Sequence, residues 1–285
     1  MQIISPRSVD DALKKISEND DALIMANGTD VMPRIRDGEI TANKVLDLSA
    51  IGKELSYIIM EGDLVKIGSM TTVDEIGKSG LFGTNLRAFY EVSRNFGGPQ
   101  IRNRATIGGN VCAASSSEDF IPLLLALDAS VKLASVDGTR LVGLGNFING
   151  KRKIDRKGSE IVTELQFKAP HGSYVSGFEK FGKRRSLIIN IVNMAMLLKV
   201  ANGKVQDARI ALNRLSGKVP ARAKLTETFL SGMELNGKTI SGAQEVLRTE
   251  MKLTSDIRAS ARYRERLAEI ILGRLIGRLS EEMKI

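Results

Sequence analysis

Two short turns in this chain carry residue types that handle phosphate. Ala26-Asn27-Gly28-Thr29-Asp30 follows the apolar run 22–25, and Thr106-Ile107-Gly108-Gly109-Asn110 follows the polar stretch 100–105. Glycine lets backbone N–H groups turn toward an anion and approach it closely. The Thr and Asn side chains add further donors. Two such loops brought together would clamp a pyrophosphate from both sides. Neither is the G-x-G-x-x-G of a dinucleotide-binding unit, and neither has a P-loop lysine. Taken singly, each reads as an ordinary turn; the pair carries the signal.

Other reactive chemistry is scarce. The chain has one cysteine, Cys112, and one histidine, His171. One thiol supplies neither an internal disulfide nor the ligands of an iron–sulfur cluster, and a Cys/His zinc site is excluded with them. Cys112 lies in an apolar stretch and reads as a small packed residue. His171, in a Pro-His-Gly turn, reads as part of a surface linker. No catalytic side chain and no metal site is expected, so redox chemistry here requires an organic cofactor or centres in other chains.

The elements that must position the two turns follow from periodicity. Val9, Ala12, Leu13 and Ile16 have helical spacing, with Ser8 as N-cap. Residues 44–48 and 64–68 read as strands, 72–78 and 86–94 as helices. Residues 121–127 read as helical, and 130–136 as a strand closed by the hairpin signal Asp137-Gly138. The segment 150–160 is polar, with five Lys or Arg, and reads as an exposed or mobile loop whose charges face water. Past His171 the expectation is strands at 176–181, 191–200 and 207–212, then helices at 221–230, 241–251 and 257–279. Strands followed by helices suggest a separate α+β domain.

The same residues resemble a known family along the whole chain. ALIMANGTDVMPRIRDG is similar to the first flavin-binding segment of the FAD subunits of molybdenum hydroxylases, a family that includes xanthine, carbon monoxide, aldehyde and nicotinate dehydrogenases. GGPQIRNRATIGGNVCAASSSEDFIPLLLALDASV resembles the second segment. IGSMTTVDEI, FEKFGKRR, VPARA and SDIRASARYRERLA resemble further family positions in the same order. QIRNRATIGGN with LLLALDA downstream is the most specific of these; ANGTD alone is weak.

The resemblance implies an α+β fold: a two-lobed FAD-binding domain of the p-cresol methylhydroxylase type over residues 1–172 (lobes about 1–57 and 58–172) and a C-terminal α+β domain over 173–285. It implies that Ala26–Asp30 and Thr106–Asn110 wrap the FAD pyrophosphate. Ser115 and Asp119 would hydrogen-bond the ribityl or ribose hydroxyls, Ile161 would offer backbone near the ring system, and Lys180 would contact the flavin head, where an ammonium favours the reduced form. Phe178 would lie against the ring. Asn27 stands where relatives have a second Gly, 113–116 (Ala-Ala-Ser-Ser) where they have Asn-Ala-Ser-Pro, and 188–190 (Ile-Ile-Asn) where Asp-Ile-Ala is frequent.

The implied function is electron transfer. The partners would be a small subunit with two [2Fe–2S] clusters and a large molybdopterin subunit, assembled as a dimer of heterotrimers. This chain would pass electrons to NAD, oxygen or quinone. The competing reading is a flavin-free scaffold or assembly relative. A third, nucleic-acid binding, is motivated by charge: residues 1–172 hold 21 Lys+Arg and 22 Asp+Glu and residues 173–285 hold 21 and 11, which places the formal +9 in the C-terminal part. No Trp, four Tyr and no nucleic-acid motif speak against it. No apolar run suggests a membrane span and the N-terminus has no secretory h-region, so a cytoplasmic protein is expected.

Overall fold

A computed structural model describes residues 1–184, 189–217 and 219–283. The chain divides into two compact units that interleave along the sequence. The first comprises Met1–Leu81, Gly98–Ala114 and Ala129–Lys168; the second comprises Phe82–Gly97, Ser115–Asp128 and Ala169–Ile285.

Among the described residues the first unit holds two larger sheets, besides the two-stranded pairing of Ile148–Gly150 with Lys153–Ile154. One is parallel, in the order Gln2–Ile4, Lys44–Asp47, Leu23–Met25. The helix Val9–Glu18 is started by Ser8, whose hydroxyl accepts from the Asp11 amide at 3.1 Å. Its Ala12 and Ile16 are buried with Leu46, Leu48, Ile51 and Leu55. The second sheet is antiparallel, in the order Ile58–Glu61, Leu64–Gly68, Ile161–Lys168, Ser130–Ser135, Gly138–Gly143. Its last two strands form the hairpin signalled by Asp137-Gly138. The helix Val73–Lys78 opens on a capping box between Thr72 and Glu75.

The central strand Ile161–Lys168 had no counterpart in the periodicity reading. It has neighbours on both edges and is buried at Ile161–Leu165, so no apolar/polar alternation marks it. Its Glu164 is buried, and the Tyr57 hydroxyl donates to it at 2.7 Å. The burial of Tyr57 itself and then that hydrogen bond push its phenol well above the usual range.

The second unit is built on the antiparallel strands Tyr174–Gly182, Asn190–Ala201, Lys204–Gly217 and Val219–Arg222. The helices Lys224–Leu230, Gly237–Glu250 and Ala261–Glu282 accompany them. Leu267, Ile271, Leu275 and Leu279 are buried in one core with Met194, Met196, Ile210 and Leu212, the stripe visible in the sequence. The helix expected over 221–230 begins only at Lys224. Pro220 and its neighbours pair as a strand with Lys204–Gly217 instead. The final helix starts at Ala261 because Ser260 caps it, accepting from the Tyr263 amide at 3.2 Å. No helix is long and apolar enough to cross a membrane among the described residues.

Candidate functional site

In the first unit, strand Leu23–Met25 runs into the loop Ala26–Asp30, which leads to the helix Val31–Arg36. Gly28 turns the chain at φ +77°, and a Cβ there would stand 2.9 Å from Met32 Cγ. The loop is half-buried throughout. Asn27 does not adopt a positive φ. Its side chain instead donates from Nδ2 to the Arg104 carbonyl at 2.8 Å. Among the described residues, no protein acceptor takes the amides of Asn27, Gly28, Thr29 or Asp30. Four successive half-buried N–H groups without an acceptor make a donor set that fits an anion.

The second loop uses its amides differently. Ile107 N donates to Thr71 O at 3.0 Å, Gly108 N to Ser69 O at 2.9 Å and Asn110 N to Thr106 O at 2.9 Å. Thr106 caps the helix Ile107–Ala113 by accepting from Gly109 N at 3.0 Å. The loop with the more specific sequence is therefore pinned by the Ser69 and Thr71 carbonyls and by its own Thr106, and the loop with the weaker sequence holds the available donors. A Cβ on Gly108 would meet Ser69 O at 2.6 Å and Ser69 Cβ at 2.7 Å. Gly108 is thus required by packing, and a chain carrying valine there is not expected to stay folded.

The structure brings the two loops together by two clasps. One is Asn27 on Arg104, two residues before Thr106. The other is Arg152, whose Nη1 donates to Asp30 Oδ2 at 2.8 Å and to the Ala113 carbonyl at 3.2 Å. Its amide donates to the Ala114 carbonyl at 2.8 Å. In sequence Arg152 groups with solvated charges; no local pattern marks it, because its partners lie 39 and 122 residues away. The segment around it is organised as well. Lys153–Ile154 pairs with Ile148–Gly150. Arg140 binds Glu160 and Asp155, and Arg156 donates to the carbonyls of Lys157, Gly158 and Glu160. Hydrogen bonding from Arg140 holds the Glu160 carboxyl below its usual range, against its burial. Ile161 is 2% exposed; its side chain lies in the first core, and its residue pairs with Ala134.

In the second unit, Asp119 and Lys180 meet. Lys180 Nζ donates to Asp119 Oδ2 at 2.5 Å and to the Asn95 carbonyl at 3.1 Å. Both side chains are almost fully buried. Asp119 Oδ1 accepts from Asn190 Nδ2 and Asn193 Nδ2, each at 2.9 Å. Asn213 donates to Ser116 O at 2.9 Å and to Asn190 Oδ1 at 2.7 Å. These three asparagines, none singled out in the sequence for this role, fix the segment that carries Ser115 and Asp119. Ser115 Oγ lies 3.0 Å from Ser117 Oγ. Asp119 does not cap the helix Phe120–Ala126 with its side chain. Phe178 is buried, and its amide donates to Glu91 Oε2 at 2.7 Å. Asn190 is placed; Arg185 of the basic run 183–185 and Ile188 lie outside the described residues.

Cys112 keeps some exposed surface, but burial of its thiol pushes its pKa up to about 12, which leaves essentially no thiolate at neutral pH. His171 is exposed. No group of three or more His, Cys, Asp or Glu suited to a metal ion occurs among the described residues.

The half-buried loop of acceptor-free amides and the capped glycine turn thus lie together in one α+β unit, and a second α+β unit accompanies it. Residues 1–169 match the family described as FAD binding domain in molybdopterin dehydrogenase, and residues 178–279 match the CO dehydrogenase flavoprotein C-terminal domain. The chain belongs to this family of oxidoreductase chains. It is 29% identical to the nicotinate dehydrogenase FAD-subunit of Eubacterium barkeri, over 99% of this chain and 97% of that one. It is 28% identical to the carbon monoxide dehydrogenase medium chain of Afipia carboxidovorans, over 98% and 96%. A chain of the Cu,Mo-CO dehydrogenase in its cyanide-inactivated form superposes with TM-score 0.92 at 27% identity, covering 98% of this chain and 97% of that chain.

Proposed function

We propose that this chain is the FAD-carrying electron-transfer subunit of a heteromeric molybdenum hydroxylase. The observation that carries the reading is the set of acceptor-free amides at Asn27–Asp30, in a chain whose first 169 residues match an FAD-binding domain. When bound, FAD supplies a carrier that accepts electrons singly and releases them as a pair. The chain's own part is to hold the pyrophosphate with the Ala26–Asp30 amides, while Thr106–Asn110 keeps that loop's support in place. Ser115, Asp119 and Lys180 remain the candidates for hydroxyl and ring contacts, and Ile161 for a backbone contact. No general base is needed for this role, which agrees with the high pKa of Cys112 and the linker position of His171.

The electrons would come from [2Fe–2S] clusters of a small subunit, reduced in turn by a molybdopterin subunit, in a dimer of heterotrimers working in the cytoplasm. The acceptor would be NAD, oxygen or quinone. The flavin-free alternative rested on Asn27 replacing a glycine; Asn27 needs no positive φ here, which removes its motive. The test is spectroscopic. The purified chain is expected to bind FAD, to be reducible by dithionite, and to show no substrate-dependent reduction with purines, aldehydes or N-heterocycles until the other two subunits are added. Substrate turnover by the isolated chain would instead make it a self-sufficient flavin oxidase.

A further inference from the structure

Arg152 is placed to do more than fill surface. Its backbone is left-handed, at φ +61°, a conformation disfavoured for a residue with a Cβ and kept only where the surroundings fix it. Its amide and one guanidinium nitrogen take two carbonyls at the C-terminal end of the helix Ile107–Ala113. That is where a helix leaves carbonyls unsatisfied and favours a cation. The same nitrogen holds Asp30 Oδ2 at 2.8 Å. Among the described residues Arg34 is the other cation on this carboxylate, at 3.4 Å, and it is shared with Glu39.

Asp30 presents an electrostatic difficulty. Its amide is one of the four donors for an anion, and its carboxylate is a negative charge on the same residue. An anion held by that loop is repelled by Asp30 unless the carboxylate is neutralised. We propose that Arg152 is a positioning residue for the flavin pyrophosphate: it cancels the Asp30 charge and fixes the first loop against the end of the second-loop helix. This rests on the FAD reading above. It assigns to Arg152 an action on FAD through Asp30, with no direct contact to the cofactor.

The test is FAD affinity of the full chain, measured by flavin fluorescence for the wild type, Arg152→Ala, Asp30→Asn and the double variant, with ADP as a competing pyrophosphate probe. Arg152→Ala is expected to weaken FAD and ADP about tenfold, which corresponds to about 1.4 kcal/mol. The double variant should bind more tightly than Arg152→Ala, because Asn at position 30 no longer needs a cation. A purely structural clasp gives no such gain, since Arg152→Ala alone has already broken it. Arg140→Ala loosens the same segment at Glu160 without touching Asp30 and should keep wild-type affinity. Unchanged affinity in Arg152→Ala, a double variant no tighter than Arg152→Ala, or an equal loss in Arg140→Ala would overturn the proposal. A wild-type chain that binds no FAD would instead sink the cofactor reading itself.

Discussion

Gly108 lies against Ser69 so closely that a Cβ on it would stand 2.6 Å from the Ser69 carbonyl oxygen, the acceptor of the Gly108 amide itself. Gly109 differs: a Cβ there meets only Thr106 Oγ1, at 2.9 Å. Gly108→Ala is therefore expected to destabilise the chain by about 1–3 kcal/mol, the range for overpacking a filled site. Gly109→Ala should lose no more than the Thr106 cap, about 1 kcal/mol. Urea denaturation of the two variants measures both, and equal stabilities would contradict the packing argument. Gly109→Ala is then the usable probe of flavin binding at this loop.

That contrast shows what the sequence could and could not convey. The loop Thr106–Asn110 is conspicuous because its residue types are specific, yet its Ile107 and Gly108 amides are taken up by Thr71 and Ser69, partners that no local pattern reveals. The loop Ala26–Asp30 was inconspicuous, and its amides are the ones without acceptors. Helix starts at Ser8 and Thr72, and the stripe Leu267–Leu279, were legible because caps and periodicity are local. The strand Ile161–Lys168 was not, because burial removes alternation. Arg152 and the trio Asn190, Asn193 and Asn213 act on residues 39 to 122 positions distant or across neighbouring strands of the second unit, where spacing along the chain carries no information.

The buried pair Asp119–Lys180 gives a second prediction. With Lys180→Met the Asp119 carboxylate keeps only the Asn190 and Asn193 donors in a buried position. Breaking one side of a buried ion pair typically costs about 3–5 kcal/mol, whereas replacing both sides costs far less. Lys180→Met should thus lower the urea midpoint strongly, and adding Asp119→Asn should recover most of the loss. If the double variant is as unstable as the two single losses added together, the pair does not act as a unit.

Cys112 supplies a third. Burial pushes its thiol to about 12, so alkylation at pH 8 should be far slower than that of a free thiol, because the thiolate is the reacting species. Labelling with iodoacetamide followed by mass spectrometry should show little modification in the native chain and complete modification in urea. Rapid native labelling would mean that the thiol is exposed and ionised.

The last prediction concerns acid. Glu160, Glu269 and Asp256 are among the described carboxyls that sit below their ordinary range. Glu160 is held there by the Arg140 hydrogen bond and Glu269 by Arg248, with Arg266 assisting, in both cases against burial. For Asp256, burial is the largest single influence and acts upward, but hydrogen bonds from Arg264 and the Arg258 amide, with the charges of Arg264 and Arg214, together outweigh it. A carboxyl with a depressed folded-state pKa binds fewer protons folded than unfolded. Its contribution is present above the unfolded pKa, about 4, and is lost as pH falls through the folded value. The melting temperature should therefore be flat from neutral pH down to about 5 and fall below about 4. Glu269→Gln keeps an acceptor for Arg248 but no longer titrates, so its melting temperature should start lower and fall less steeply between pH 5 and 3 (about one unit to either side of the ordinary carboxylate value). Calorimetry across that interval decides it: parallel curves for wild type and variant would show that Glu269 contributes nothing to the acid dependence.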